Sequence, residues 1–344
     1  MKVVITGGAG FLGQLLIRAL CERGTLSRSN RRNDGRNDGR NDGGSDTRND
    51  GSSARITRII AIVQAQSGKL FVDDRVEYAI GDISGKGFLA DALSRDTDSV
   101  FHLAAVVSGG AEADFDLGMR VNVDATRALL DACREQHGRP RVVFSSSVAV
   151  FGSPLPEILG DATTPTPKSS YGIQKLIGEL LVADYSRKGF IDGRAVRLPT
   201  VVVRPGKPNA AASSFASGII REPLAGEESA CPVEPDTALW ITSPRAAVAA
   251  FIHAHETPES DWELLRSINL PGLTTSVQEM IAALRSVGGD AAAQRVKMVP
   301  DARIRAIVDT WPARFTTERA DRLGFTAESN VVDIVRAYAE EYAR

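Results

Sequence analysis

The first 25 residues constrain the fold more than any other stretch of the chain. They read as a short apolar run, KVVIT, then the turn GGAGFLG, then the apolar-periodic LLIRAL. The β-branched run predicts a buried strand and the periodic run predicts a helix. In the turn between them, Gly7 permits a tight bend, Gly10 lets the backbone approach a pyrophosphate, and Gly13 lets the helix pack close to the strand. Because a helix start presents free N–H groups to an anion, this stretch predicts a dinucleotide site, with a purely structural turn as the alternative.

A second constrained stretch covers residues 141–175. It begins with an apolar run that ends in three consecutive serines, which predicts a strand with hydroxyl groups at its end. Tyr171 and Lys175 follow at helical spacing, and side chains four residues apart share one face of a helix. A free phenol titrates near pH ~10, and a nearby cation lowers that pKa. A phenol, a cation and a serine hydroxyl together predict a site for proton transfer.

With the glycine turn, the serine-ended strand and Tyr171-x-x-x-Lys175 in one chain, the sequence resembles the extended short-chain dehydrogenase/reductase family. The resemblance covers nearly the whole chain except residues 26–57. It implies that Tyr171 is the general acid/base and that Lys175 lowers the pKa of the phenol and binds the nicotinamide ribose. Ser147, four residues before a Phe that replaces the family's Tyr, is implied to hold the substrate oxygen. Ser146 is a further substrate contact or the register alternative.

The resemblance also implies a bound NAD and the residues that hold it. They come from the ends of successive strands and from the catalytic helix: Gly7, Gly10, Phe11, Leu12, Gly13, Gln64, Asp82, Ile83, Leu103, Ala104, Ala105, Asn122, Tyr171, Lys175 and Pro199. At Gln64 the chain departs from the family, in which an acidic residue takes the adenosine ribose hydroxyls. Glutamine still bonds a hydroxyl and does not repel a 2′-phosphate. We favour NAD over NADP because no arginine follows closely, the nearest downstream cation being Lys69.

Three polar residues of the predicted cofactor-binding domain can be interpreted either as functional residues or as structural ones. Asp82, which the resemblance places beside the adenine amino group, could instead cap a helix. Asn122, which it places near the active site to position the catalytic lysine through a helix distortion or a water, could be an interior amide that bonds a loop carbonyl. His102 lies in an apolar strand, so we expect a satisfied core residue and not a catalytic base.

Residues 26–57 contain a low-complexity insertion in which Arg-Asn-Asp-Gly recurs at Arg32, Arg36, Arg40 and, out of register, Arg48. With almost no apolar side chains, this segment cannot repay its ordering entropy by burial. We therefore predict a disordered surface loop. A metal or anion loop is the alternative, but the DxxxDxxxD spacing is not that of an EF-hand. We predict no metal site.

The order of strands and helices predicts an α/β protein. Residues 1–199 are expected to form a Rossmann-like, doubly wound parallel sheet, and residues 200–344 a smaller α/β substrate lobe. Within the second part, about 240–270 is expected to return to the first domain, because RSINLPG reads as another sheet strand. A chain of 344 residues is long enough for both.

The resemblance further implies the substrate, a small sugar acid whose C2 hydroxyl is oxidised while a hydride passes to NAD. The carboxylate of such an acid needs a cation, and arginine binds it best. The candidate cations are Arg204, Lys207, Arg221 and Arg245, of which Arg204 and Arg245 are selected. Ser108, Ser146, Ser147 and Tyr171 are predicted to contact the substrate, and Asn209, Ser213 and Ser214 could take its hydroxyls.

Composition bounds the setting in which the chain works. A net charge of −2 gives no electrostatic case for nucleic acid or an anionic membrane. Three scattered cysteines without a CxxC pair favour reduced thiols, and no apolar run approaches the ~18 residues of a membrane span. We therefore expect a soluble cytoplasmic enzyme with a small-molecule substrate. The family resemblance implies a homodimer through helices at about 113–136 and 169–188.

Two rival functions remain at this point. A nucleotide-sugar epimerase or dehydratase would use the same scaffold with tightly bound NAD and would need room for a nucleotide diphosphate. A non-catalytic, cofactor-sensing protein of similar fold would have no reason to keep serine, tyrosine and lysine together. The fold by itself does not choose among these functions.

Overall fold

The computed structural model describes residues 1–27, 53–65, 70–206 and 211–342. The Arg-Asn-Asp-Gly repeat lies outside the described residues, so the predicted surface loop stays a prediction. Lys69, Lys207 and Asn209 also lie outside them.

A parallel sheet forms the centre of the molecule. The strands are β1 (Lys2–Thr6), β2 (Thr25–Ser27), β3 (Ser53–Arg55), β4 (Arg58–Val63), β5 (Val76–Ile80), β6 (Thr97–His102), β7 (Arg141–Ser147), β8 (Asp192–Leu198), β9 (Thr200–Val201), β10 (Ser229–Cys231), β11 (Ala238–Thr242), β12 (Ser267–Asn269), β13 (Leu273–Ser276) and β14 (Val296–Met298). Seven of them pair in parallel in the order β12-β8-β7-β6-β1-β4-β5. Apart from the added β12, this is the doubly wound Rossmann order, and the predicted fold class is confirmed.

Helices cover both faces of this sheet. They are α1 (Phe11–Arg23), α2 (Lys86–Ala92), α3 (Ser108–Ala113), α4 (Phe115–Gly118), α5 (Ala125–Glu135), α6 (Ser170–Arg187), α7 (Ser214–Leu224), α8 (Pro244–Glu256), α9 (Glu259–Trp262), α10 (Val277–Ala293), α11 (Ala302–Val308), α12 (Glu318–Arg322) and α13 (Val331–Tyr342). A π-helical turn, Met119–Asp124, joins α4 to α5, and a 3-10 turn, Val148–Val150, follows β7. Within the described ranges, none of the helices has the length and apolarity needed to cross a bilayer.

The alternation along β1 explains why helices lie on both sides. All five residues of the strand are buried, which is typical of a parallel strand covered on both faces. Val3 and Ile5 pack in one core with residues of α1 and α8. Val4, between them, packs in a second core with residues of α2, α5 and α6. The side chains of β1 therefore contribute to two hydrophobic cores, one on each face of the sheet.

A smaller lobe has its own core beside the sheet. Side chains of α7, α10 and α13 pack there with Val202, Val203 and Ile241. A three-stranded sheet in the order β13-β11-β9 joins this lobe to the end of β8. The chain then returns to the central sheet: β12 pairs in parallel with β8, with Ile268 opposite Val196. The sequence RSINLPG supplies this strand, and Ala320 and Phe325, near α12, lie in the core of the first lobe.

Two short strands bracket the insertion. β2 and β3 pair antiparallel, with Ser27 opposite Ser53, so the insertion leaves and re-enters the fold at neighbouring points. The Met1 amino group donates to the Arg55 carbonyl at 2.8 Å. Because Met1 precedes β1, this hairpin lies at the edge where the parallel strands begin.

Candidate active site

A cavity of about 560 Å³ opens at the edge where the parallel strands end. Its wall includes the glycine turn after β1, the tip of β7, the first turns of α6, the loop after β8 and the end of α11. Ligands of doubly wound sheets bind at the carboxyl ends of the strands. The cavity therefore lies where the fold predicts a cofactor and a substrate.

The glycine turn forms one end of the cavity wall. Gly7 has a φ of 73°, which favours glycine, and its carbonyl accepts the Gly10 N–H at 2.9 Å. A Cβ on Gly13 would overlap the Gly7 carbonyl oxygen, so α1 packs against the turn only because position 13 has no side chain. The N-cap of α1 is Gly10, so no side chain caps the first N–H groups of the helix, and no acidic residue lies in the first turn. This helix start suits an anionic group such as a pyrophosphate.

The segment that follows β6 contains small residues, and only some of them lie where a ligand could approach the backbone. Leu103 and Ala105 line the cavity, as predicted for cofactor contacts, whereas Ala104 does not. A Cβ on Gly7 would stand 2.9 Å from the Ala104 amide nitrogen, and that amide donates to the Thr6 hydroxyl at 3.1 Å. Ala104 therefore packs beneath the glycine turn and supports it.

Serine, tyrosine and lysine of the predicted catalytic set lie together in the wall. The Ser147 hydroxyl accepts the Ala149 N–H at 3.1 Å, and its interaction with the Tyr171 phenol lowers the pKa of that phenol. The Lys175 ammonium donates to the Ser145 carbonyl at 2.7 Å, and its Nζ lies 5.6 Å from the centre of the Tyr171 ring. Local sequence explains this: β7 ends in its serines, and α6 begins beside them, capped by a serine that accepts from its first turn.

Burial controls the protonation of this set. It raises the pKa of Tyr171 to about 12, against the opposing effects of the Ser147 hydrogen bond and the positive charge of Arg204. It lowers the pKa of Lys175 to about 7, against the negative charge of Glu179. For Tyr171, removal from water outweighs the opposing effects of Ser147 and Arg204. The expectation that Lys175 lowers the pKa of the phenol stays a prediction.

Asn122 lies in the π-helical turn, with its side chain only 3% exposed. Its Oδ1 accepts the Val106 N–H at 2.8 Å, and its Nδ2 donates to the Val106 carbonyl at 3.0 Å and to Gln174 Oε1 at 2.7 Å. These bonds tie the loop after β6 to α6, one residue before Lys175. The helix distortion implied by the family is present, but Asn122 does not line the cavity. Direct cofactor contact by Asn122 is therefore not supported, because its amide is used within the protein.

The residues expected around adenosine lie at the ends of β4 and β5. Gln64 is exposed, one residue after β4, and neither it, Asp82 nor Ile83 lines the cavity. The Asp82 carboxylate accepts the Ser84 N–H at 2.9 Å, and that bond lowers its pKa. Helix α2 begins later, after Gly85, so Asp82 closes a turn and does not cap the helix. Ile83 is buried in the core beside α2. The adenosine roles of these three residues stay predictions.

Of the two cations selected for the substrate, the structure brings only one to the cavity. Arg204 lines it, with its guanidinium donating to the Ser213 hydroxyl at 3.1 Å. Arg245 was wrong: it lies on α8, is largely exposed, and forms an ion pair with Glu341 at 3.0 Å. The physical reason is that α8 packs with α1 over one face of the sheet, away from the strand ends.

Some of the other candidate site residues line the cavity and others do not. Ser108 and Ser213 line the cavity, and so does Pro199, which was predicted as a cofactor contact. Ser146 also borders it, and its hydroxyl donates to Glu179 at 2.5 Å. Arg221 does not line it; it pairs with Glu222 and donates to the Arg204 carbonyl at 2.8 Å. His102 is buried between two threonine hydroxyls, as expected of a core residue, and burial lowers its pKa to about 3.

Part of the wall was not predicted. Glu112 and Trp240 border the cavity, as do Ile307, Thr310 and Trp311 from the end of α11 and the turn after it. In the sequence, α11 has only an ordinary amphipathic pattern, which gives no sign that it covers a site. Trp240 lies beside Phe315, with their rings tilted and 5.1 Å between the ring centres, and Trp311 is a second tryptophan in the wall. In the described part of the chain, no cluster of His, Cys, Asp and Glu side chains is placed to hold a metal.

A dinucleotide turn and a Ser147, Tyr171, Lys175 set in one cavity define an NAD-dependent oxidoreductase of the Rossmann class. Family comparison agrees with this class: residues 3–242 match the family model described as "NAD dependent epimerase/dehydratase family". The chain belongs to this family, and its cofactor is NAD.

Two relatives are similar to the chain over almost its whole length. The chain is 52% identical over 99% of its length to a protein of Cupriavidus necator named D-erythronate dehydrogenase, of which it covers 98%. It is 42% identical to a protein of Haemophilus influenzae with the same name, and the match covers 99% of both chains. Among solved structures, a protein of Agrobacterium tumefaciens described as a nucleoside-diphosphate-sugar epimerase is 39% identical, with a TM-score of 0.87 over 99% of this chain and 94% of that one.

Proposed function

We propose that the protein is an NAD-dependent sugar-acid dehydrogenase that oxidises the C2 hydroxyl of D-erythronate to 2-dehydro-D-erythronate. The observation that carries the proposal is the placement of Arg204 in the same cavity wall as Tyr171. In a 2-hydroxy acid the carboxylate carbon is bonded directly to C2. A cation for the carboxylate must therefore lie close to the residue that takes the hydroxyl proton. Arg204 meets this condition, because its charge acts on the phenol, and the names of the two full-length relatives point to the same acid.

The charge balance of Arg204 supports this role. The guanidinium is half-buried, and burial together with the neighbouring Arg221 lowers its pKa. Among the described residues no carboxylate forms an ion pair with it, and its guanidinium hydrogen bond goes to a serine hydroxyl. A partly buried cation without a counterion attracts a carboxylate strongly, most of all in bidentate geometry.

The reaction can be assigned to side chains of this chain. The substrate hydroxyl lies between Ser147, which holds its oxygen, and Tyr171, which accepts its proton as the C2–H bond breaks. When bound, NAD would supply the hydride acceptor for C2 and a positive charge that favours the phenolate. Lys175 holds a second positive charge beside the phenol, and Arg204 fixes the carboxylate so that C2 keeps one orientation. Orientation and electrostatic stabilisation are the contributions of the protein.

The cofactor site accepts NAD along the turn and the strand ends. Gly7, Gly10 and Gly13 leave room for a pyrophosphate at the start of α1. Gln64 at the end of β4 replaces the usual acid and would bond the adenosine ribose hydroxyls with its side-chain amide. We keep NAD as the cofactor, since the family is NAD dependent.

One observation favours a second function. The Agrobacterium tumefaciens structure is 39% identical and is described as a nucleoside-diphosphate-sugar epimerase. An epimerase keeps its cofactor bound through each catalytic cycle, whereas a dehydrogenase releases reduced cofactor. Purified protein that retains reduced cofactor and binds a UDP-sugar would favour the epimerase.

The proposed function is tested by following reduced-cofactor formation with four- to six-carbon aldonic acids, using NAD and NADP separately. We expect turnover of D-erythronate with NAD, and loss of turnover with intact NAD binding in Tyr171→Phe, because the phenol that accepts the proton is gone. Inert acids throughout would reject the dehydrogenase in favour of the epimerase. Activity with NADP alone would reject the cofactor choice at Gln64, and an active Tyr171→Phe would reject the proton acceptor.

A further inference from the structure

Glu179 lies one helical turn beyond Lys175, in a part of the site to which no role has been given. Resting on the proposed function, we propose that Glu179 is a positioning residue for the reaction: its carboxylate holds the serine end of β7 in place and keeps the positive charge on Lys175. It acts through these two neighbours and does not line the cavity.

The position of Glu179 follows from the helix. Tyr171, Lys175 and Glu179 are spaced by four residues on α6, so their side chains share one face. That face packs against β7 and β8. Lys175 and Glu179 are 3% and 4% exposed, so both charges act at close range and with little screening by water.

The carboxylate of Glu179 is held from two strands. Arg197 of β8 donates to it through Nη2 at 2.7 Å and through Nε at 2.9 Å. The Ser146 hydroxyl of β7 donates to Oε1 at 2.5 Å. Ser146 immediately precedes Ser147, and the carbonyl of Ser145 accepts the Lys175 ammonium. Glu179 therefore fixes the strand end that presents both the hydroxyl and the lysine-binding carbonyl.

The surroundings of Lys175 make the charge of Glu179 important. Within the described ranges Lys175 has no ion-pair partner, and its ammonium donates to a backbone carbonyl. The charged and titratable groups near it are Tyr171 and Glu179 on its own helix, His102 on β6 and Arg197 on β8. His102 is uncharged at neutral pH, since burial lowers its pKa to about 3. Glu179 is thus the anion that counteracts the effect of burial on Lys175.

Loss of this anion has a defined consequence. The Lys175 Nζ lies 5.6 Å from the centre of the Tyr171 ring, and in the reactive form this pair has lost one proton in total while the ammonium keeps its own. Removing a nearby negative charge favours deprotonation, so the pair loses its first proton at lower pH. The proton that remains then spends less time on Lys175 and more on the phenol, and the population of reactive phenolate falls.

The test compares Glu179→Gln with the unaltered protein in two measurements. The first is the pH midpoint of Lys175 modification by competitive acetylation, read by mass spectrometry without any substrate. We expect the midpoint to fall by about one pH unit, the usual effect of losing one nearby charge. The second is the pH profile of kcat for D-erythronate, in which we expect a lower midpoint together with a plateau reduced by ~10-fold or more.

Asp192→Asn is the matched control. Asp192 is also a buried carboxylate, paired with Arg141 and Arg194 at the opposite end of β8. Its loss removes a buried ion pair of the same kind without approaching Lys175, so both midpoints should stay at their original values. An unchanged Lys175 midpoint in Glu179→Gln, or an equal shift in Asp192→Asn, would overturn the proposal.

Glu179→Gln leaves Arg197 buried without its partner, which can prevent folding. The double variant Glu179→Gln/Arg197→Gln removes both charges of the pair. Because the charge of Glu179 acts on Lys175 more strongly than that of Arg197, the midpoint should still fall, though by less than in Glu179→Gln; an unchanged midpoint in a folded double variant rejects the role. The acetylation measurement needs no substrate, so it decides the role of Glu179 even where inert sugar acids reject the proposed function.

Discussion

At the scale of single residues, Arg204 and Arg245 can be compared directly, because only one of the two lines the cavity. Both were candidates for the substrate carboxylate, but one lines the cavity and the other is paired with Glu341 on the far side of α1 and α8. Arg204→Met should lower kcat/KM for D-erythronate by ~10–100-fold, because a charge-assisted hydrogen bond contributes about 1.5–3 kcal/mol. Arg204→Lys should recover part of this, since lysine keeps the charge but not the planar fork.

The matched control for this prediction is Arg245→Met, which removes a positive charge at a distance from the cavity. Steady-state kinetics should give its kcat/KM within a few-fold of the unaltered protein. An Arg245→Met protein as impaired as Arg204→Met would mean that overall charge, and not contact with the carboxylate, sets the affinity.

Residue identities were predictable where the physics is local. Tyr171 and Lys175 are four apart on one helix, so their spacing alone suggests that they meet, whereas the family resemblance singled out Ser147 among the serines at the end of β7. The pKa of the phenol was not predictable, because burial is produced by distant segments and exceeds the opposing effects of Ser147 and Arg204. Sequence could not rank Arg204 against Arg245 for a similar reason: only the tertiary arrangement decides which cation faces the cavity.

At the scale of elements, α6 has two different faces. Tyr171 and Lys175 face the cavity, whereas Ile173 and Leu180 are 47% and 63% exposed on the opposite side. Phe115 on α4 is 60% exposed as well. These exposed apolar side chains lie within the two helical stretches that the family resemblance assigned to dimer contacts, so we propose a homodimer through this surface.

Leu180→Glu tests the proposed dimer. A carboxylate buried at the centre of an apolar interface costs several kcal/mol in association, so light scattering after size-exclusion chromatography should give a monomer where the unaltered protein gives a dimer. Leu264→Glu is the control, because Leu264 is 90% exposed on a loop outside these helices, and it should leave the dimer intact. A monomeric unaltered protein would refute the assembly.

The helices also show that sequence patterns can predict an element without predicting what its side chains contact. The π-helical turn at Met119–Asp124 was implied by the family and is present, yet its Asn122 binds Val106 and Gln174 instead of the cavity. Helix α11 has an ordinary amphipathic pattern, which does not tell which surface it covers. Ile307 and Trp311 reach the cavity because the second lobe folds over the strand ends, a contact between segments far apart in sequence.

At the scale of the whole molecule, the β2–β3 hairpin and the cavity lie at opposite ends of the strands of the central sheet. The β2–β3 hairpin brackets the insertion near Met1, where the parallel strands begin. Deleting residues 30–51 would leave residues 28, 29 and 52 between Ser27 and Ser53, and hairpin loops of three residues are common. We expect kcat to stay within a few-fold and the melting temperature to change little, because loop-closure entropy depends weakly on length.

Thermal unfolding and turnover of the deletion variant, measured beside the full chain, check this expectation. Lost folding or activity would show that the repeat takes part in the structure or the reaction. Replacing residues 30–51 by a Gly-Ser sequence of equal length is the control, since it keeps the length and removes the Arg-Asn-Asp-Gly pattern.

The return of the chain through β12 limits how such enzymes can be recombined. A fragment that stops at residue 199 lacks β12 and leaves Ala195, Val196 and Arg197 of β8 without their neighbouring strand, an open edge that invites intermolecular pairing and precipitation. The smaller lobe is built from segments on both sides of β12, so no single crossover transfers it intact. Chimeras that exchange substrate preference between relatives would therefore need two grafted segments around an unaltered β12.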